Sequence, residues 1–371
     1  MSIHNSAVRV QHFLSLGSAA ACVVLSLGAQ QTPPAALPAA APAAAAAQAQ
    51  PTTIPPRIQP GTPDGNRMAT AASAMGWAEI LDQAPDPNVV TDATLRTAIA
   101  GSGLPWRVRD KLTGIEMLLV PAGEFVMGMS VDDALANSDE RPAHEVILTK
   151  AFYLGRTEVT QAQWTRQMGT NQSYFQDINF EVIPEEDRTA KVAELMEAGY
   201  TRKQAEEKLG VEIMATVVTA DWPVETLTFE EIQPFLAKTK MRLPSEAEWE
   251  YACRAGSRAP TYGPLNDIAW NSDNAESRTH AVGEKAANPL GFSDMIGNVW
   301  EWVTDWYSAD YYRSCENGVT NPTGPAQNAF RVLRGGSWDY GAQNCRASFR
   351  MNHCTGDPRI TDFGFRVART P

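Results

Sequence analysis

The chain has 371 residues, 31 basic and 43 acidic side chains and a formal charge of −12. That length holds one large domain with appendages, or two small ones. No stretch is dominated by Lys or Arg, so nucleic acid is not expected as a partner, and ten tryptophans with 26 glycines suit a loop-rich aromatic core better than a helix bundle.

Residues 1–30 place Arg9 and two histidines ahead of an apolar run from Phe13 to Ala29, with small residues at Gly28 and Ala29. This is the layout of a secretory signal peptide, and it predicts export to the periplasm or the extracellular space. The run is short against the roughly 20 apolar residues of a membrane span; retained uncleaved, it becomes a membrane tether. Residues 31–66 are rich in Ala and Pro and nearly uncharged. They bury too little apolar surface to offset their ordering entropy and read as an extended linker. Residues 67–103 read as a short helical pre-domain segment, with Thr91 and Asp92 placed to cap a helix. Export permits disulfides among Cys253, Cys315, Cys345 and Cys354, in any of three full pairings. The absence of a CxxC spacing and the scattered histidines leave a zinc site unsupported.

From about Leu104 the texture changes. WRVRDKLTGIEMLLVPAGEFVMG reads as strand, turn, strand, and AHEVILTKAFYLGRTEV as two further strands. Three capping boxes then announce helices: Thr160 with Gln163, Thr228 with Glu231, and Ser245 with Glu248, the last stopped near Gly256. A fourth, Thr201 with Gln204, lies in residues 181–215, a charged helical stretch read as a surface insertion. Beyond Gly256 periodicity fades until the closing strands RVLRGG and FGFRVA. So irregular a core must satisfy its buried peptide groups with side chains or ions.

The ordered set VPAGEFVMG, DERPAHEV, TEVTQAQW, RLPSEAEWEYACRAG, GFSDMIGNVWEW, RVLRGGSW and DFGFR, spread over residues 104–371, resembles the formylglycine-generating enzyme family, whose members are also called sulfatase-modifying-factor-type proteins. The resemblance implies an α+β, C-type-lectin-like fold low in regular secondary structure. It also implies a structural calcium ion on Asp294, Gly297, Val299 and Glu301. Two carboxylates and two carbonyls make a hard oxygen cage; the alternative is a pair of hydrogen-bonded loop carboxylates. In RGGSW the glycines permit positive φ and Trp338 anchors the loop. Arg334, Arg346, Arg350 and Arg366 are expected to pair with carboxylates such as Asp362.

The formylglycine-forming members bind copper through two cysteines, two and seven residues after the aromatic of GGS[WY]. Those places hold Tyr340 and Cys345. Copper, or iron in its stead, is what the resemblance implies, although a phenol and one thiol replace two thiolates poorly for copper(I). The family's partner for Cys253 is replaced by Val367, which leaves Cys253 as a small buried residue. Two functions follow. One is an oxidase using metal and oxygen on a protein or small-molecule substrate, with Cys345, Ser337 and Trp300 in the reactive region. The other is a non-catalytic, lectin-like binding protein whose ligand surface holds Tyr340, Asn344, Phe349, Asn352 and His353. The second resembles the variable proteins of diversity-generating retroelements, and a rigid frame tolerates such a surface. A monomer is expected.

Overall fold

Period-two alternation in HEVIL buries His144, Val146 and Leu148 and exposes the residues between them, which makes a half-buried strand. FYLG, apolar throughout, is buried at every position and runs through the middle of a sheet. The computed structural model describes residues 75–130, 133–176, 185–198, 219–355 and 359–371, all within the unit Ile54–Pro371. The signal and linker segments therefore lie outside the described residues, as does the Thr201 capping box.

In chain order the strands are β1 (Ala78–Asp82), β2 (Arg107–Asp110), β3 (Glu116–Val120), β4 (Gly123–Met127), β5 (His144–Leu148) and β6 (Phe152–Gly155). They continue with β7 (Trp300–Trp306), β8 (Val319–Thr320), β9 (Phe330–Arg334), β10 (Met351–Cys354), β11 (Phe363–Gly364) and β12 (Ala368–Arg369). The order β1-β2-β3-β6-β12 makes an antiparallel sheet. A second sheet runs β10-β9-β7-β11, and a third β4-β5-β8. The segment read as a pre-domain joins this body: β1 pairs with β2, and Met75, Val90, Leu95 and Ile99 belong to the main core. Asp92, with its carboxylate on the Thr94 and Leu95 amides, caps helix α1 (Ala93–Gly101).

The next helices are α2 (Gln161–Met168), α3 (Glu185–Glu197), α4 (Phe229–Thr239) and α5 (Glu246–Arg254). α2, α4 and α5 start on the three capping boxes, with both reciprocal bonds present in each. The left-handed turn that ends α5 begins one residue before the expected glycine, at Ala255. α3 falls in the stretch read as a helical insertion.

Buried arginines bind the irregular segments to the regular ones. Arg334 joins Glu250, Arg350 joins Glu246 at 2.7 Å, Arg346 joins Glu140 at 2.7 Å and Asp133 at 2.6 Å, and Arg366 joins Glu301 at 2.6 Å. The pairing of these arginines with carboxylates holds, but Asp362 is partner to none of them. Its carboxylate faces Ser337 instead.

Candidate functional site: an acidic and aromatic wall around Trp300

Trp300 opens β7 and is fully buried. Its ring meets Tyr340 edge-on at 5.3 Å and Phe349 at 5.7 Å, and its indole N–H has no acceptor among the described residues. The loop after β9 brings Tyr340 here through Gly335 and Gly336, both at positive φ. A Cβ on Gly336 would lie 2.6 Å from the Cys345 sulfur. Only a bare backbone lets the two limbs of the loop pass this closely.

Ser337 and Asp362 make the polar centre. The Ser337 hydroxyl donates to Asp362 Oδ2 at 2.5 Å, while Oδ1 is buried without a donor among the described residues. Burial pushes the Asp362 carboxyl up to about 6. Glu225 accepts the Tyr174 and Phe175 amides at 3.1 and 2.9 Å and the Thr226 hydroxyl. Burial, with a contribution from Asp362, pushes it up to about 7. Phe175 in turn packs edge-on against the half-buried Trp338 at 5.4 Å.

Of the expected ligand surface, Tyr340 and Phe349 share the Trp300 wall. Asn344 is half-buried on the same loop, and Asn352 is exposed on β10. The His353 ring instead packs on Phe363 at 5.0 Å and Trp302 at 6.3 Å. Sequence reasoning missed Glu225 and Phe175, and placed Asp362 only as an arginine partner. An acid flanked by apolar residues in WPVETLTF was the available signal for Glu225.

Cys345 is fully buried, its sulfur 3.6 Å from the Tyr340 carbonyl, and burial pushes its thiol up to about 12. Cys253, Cys315 and Cys345 are thiols, so none of the three full pairings that export permits is present among the described residues. Cys253 is fully buried, as its reading as a small core residue required. Among the described residues, no three His, Cys, Asp or Glu side chains converge on a possible metal position. A buried thiol beside a tyrosine does not fit the two-thiolate copper grip.

The expected calcium set is altered. Glu301 gives Oε2 to Arg366 Nε and Oε1 to Arg366 Nη2, each at 2.6 Å, and takes the Trp249 indole N–H at 2.7 Å. Its carboxylate is therefore spent on a guanidinium. Asp294 accepts the Gly283 amide through Oδ2 at 2.6 Å and keeps Oδ1 buried, with no partner among the described residues. Glu158, buried with neither oxygen partnered among the described residues, is raised by burial and by the Asp294 charge. Near the expected calcium set, Asp294 and Glu158 keep carboxylate oxygens open to a cation, and their hard oxygen chemistry fits calcium.

The fold and these motifs together define the class, and the chain belongs to the sulfatase-modifying factor enzyme 1-like domain family, whose model matches residues 106–371. It is 31% identical over 258 residues to the serine/threonine-protein kinase pkn1 of Chlamydia pneumoniae, covering 68% of this chain and 38% of that relative's length. It is 27% identical to the formylglycine-generating enzyme of Streptomyces coelicolor, covering 67% of this chain and 87% of that one. Among solved structures it resembles Treponema denticola variable protein 1, with a TM-score of 0.51 and 26% identity over 69% of this chain and 95% of that one.

Proposed function

We propose that this domain is an exported recognition module that binds a protein or small-molecule ligand at the Trp300 wall, on a scaffold held by structural calcium. One observation carries the reading: Tyr340 and Phe349 flank Trp300 beside a buried Ser337–Asp362 pair, while the only thiol at the place of the family's copper ligands is buried and protonated. The likeness to a variable protein supports it. Export rests on the N-terminal layout, with residues 13–29 a tether if they are not removed. Calcium rests on Asp294 and Glu158, with the Gly297 and Val299 carbonyls, rather than on Glu301.

The second reading, a metal- and oxygen-dependent oxidase, is favoured by the similarity to the Streptomyces formylglycine-generating enzyme. The two readings separate in one assay. The protein is incubated with copper(I) or iron(II) and a cysteine-containing peptide, and oxygen uptake is followed. A recognition module consumes none. Metal-dependent uptake that is lost in Trp300→Ala would overturn the recognition reading and establish the oxidase.

A further inference from the structure

We propose that the wall around Asp362 binds an organic cation, a protonated alkyl- or arylalkylamine, an assignment that rests on reading this surface as a recognition site. Elsewhere in the core the chain neutralises its buried carboxylates itself: Glu140, Glu246, Glu250 and Glu301 each hold an arginine. The other buried acids without an arginine have other duties. Asp305 caps α5 through the Glu246 amide at 2.8 Å, and Glu158 and Asp294 face the calcium position. Asp362 has neither. It is 3% exposed, one oxygen holds Ser337, and the other has no donor among the described residues.

The charged groups that act on Asp362 and Tyr340 are acidic. Asp339 acts on both Asp362 and Tyr340, Asp362 acts on Glu225, and Asp273 acts on Cys345. The arginine in the same loop, Arg346, is paired with Asp133 and Glu140 and lies over the Phe349 ring at 5.4 Å, which leaves Trp300 and Tyr340 as the rings open to a ligand cation. Such a field attracts a cation and repels a carboxylate or phosphate. The rest of the wall is aromatic, with Tyr340 and Phe349 each against Trp300, and the half-buried Trp338 reaches the Thr361 carbonyl next to Asp362. Ring faces favour ammonium groups through their quadrupoles. The unpartnered Trp300 N–H is a second open valence on the same wall, suited to an oxygen carried next to the ammonium. Carboxylate, ring faces and one spare donor together describe an amine-binding site.

The test titrates the full chain with benzylammonium, benzyl alcohol and phenylacetate at fixed ionic strength, following tryptophan fluorescence. Benzylammonium is expected to bind saturably and at least tenfold tighter than the alcohol, with phenylacetate not binding. Asp362→Asn keeps the shape and can keep the Ser337 bond, and is expected to abolish the preference. Tyr340→Leu weakens benzylammonium several-fold with an unchanged melting temperature. Equal binding of benzylammonium and benzyl alcohol overturns the proposal, as does a preference that survives Asp362→Asn. Should Asp362→Asn fail to fold, the wild-type comparison and Tyr340→Leu decide alone. No metal or oxygen enters this assay, so its failure removes the cation site, whereas the oxygen assay judges the recognition reading itself.

Discussion

Arg366 and Glu301 form a two-pronged ion pair, with both contacts at 2.6 Å and both side chains buried. The same guanidinium donates to the carbonyls of Gly155, Ser293 and Asp294, so one side chain ties β6, the loop of Ser293 and Asp294, and β7 together. Breaking such a pair strands a buried charge and costs about 3–5 kcal/mol. Arg366→Met should show that loss in chemical denaturation, and Glu301→Gln a similar one. Arg366→Lys should not rescue it, because a point charge cannot reproduce the fork. A loss below about 1 kcal/mol in Arg366→Met would mean that the pair is not the tie described.

Gly336 and Cys345 occupy one space, and their coupling is measurable. Gly336→Ala places a methyl 2.6 Å from the sulfur at a φ of +84°. Strain of this kind costs about 1–3 kcal/mol. Adding Cys345→Ala should return part of that loss, leaving the backbone share. Simple additivity of the two changes in a double-mutant cycle would contradict the contact.

The buried thiols give a pH dependence of definite sign. Burial pushes Cys253 and Cys345 each up to about 12, while an unfolded thiol titrates near ~8.5. Between those values the unfolded chain has released protons that the folded chain keeps. Stability is thus full below about pH 8.5 and falls as pH rises, by up to about 1.4 kcal/mol per pH unit for each thiol. Urea denaturation at about pH 8 and pH 10 should show the fall, and Cys345→Ala should make it shallower. Iodoacetamide should leave both cysteines unlabelled in the folded protein at neutral pH.

Calcium should stabilise the protein by mass action, by about 2.7 kcal/mol at a hundredfold excess over its dissociation constant. A chelator should reverse the gain, and Asp294→Asn or Glu158→Gln should abolish it. An unchanged unfolding midpoint with and without calcium would remove the ion from the account.

Local devices were legible in the sequence because they are local. Thr160, Thr228 and Ser245 announce their helices by a spacing of three, and Gly335–Gly336 announces its turn by composition. Pairings between distant segments were not legible. Glu301 carries the family's calcium position in sequence, but the fold sets it against Arg366, 65 residues away. Asp362 sits among four candidate arginines, yet β11 delivers it to Ser337. Glu225 joins the site only because its carboxylate binds amides 50 and 51 residues earlier in the chain.

The central claim is that the family's framework persists here without its two-sulfur metal grip. Copper(I) titration against a competing chelator, with X-ray absorption at the copper edge, tests this most directly. The account predicts no one-to-one copper bound through two sulfurs, and an unchanged curve for Cys345→Ser. A single tight equivalent with two sulfur ligands, lost in Cys345→Ser, would contradict it.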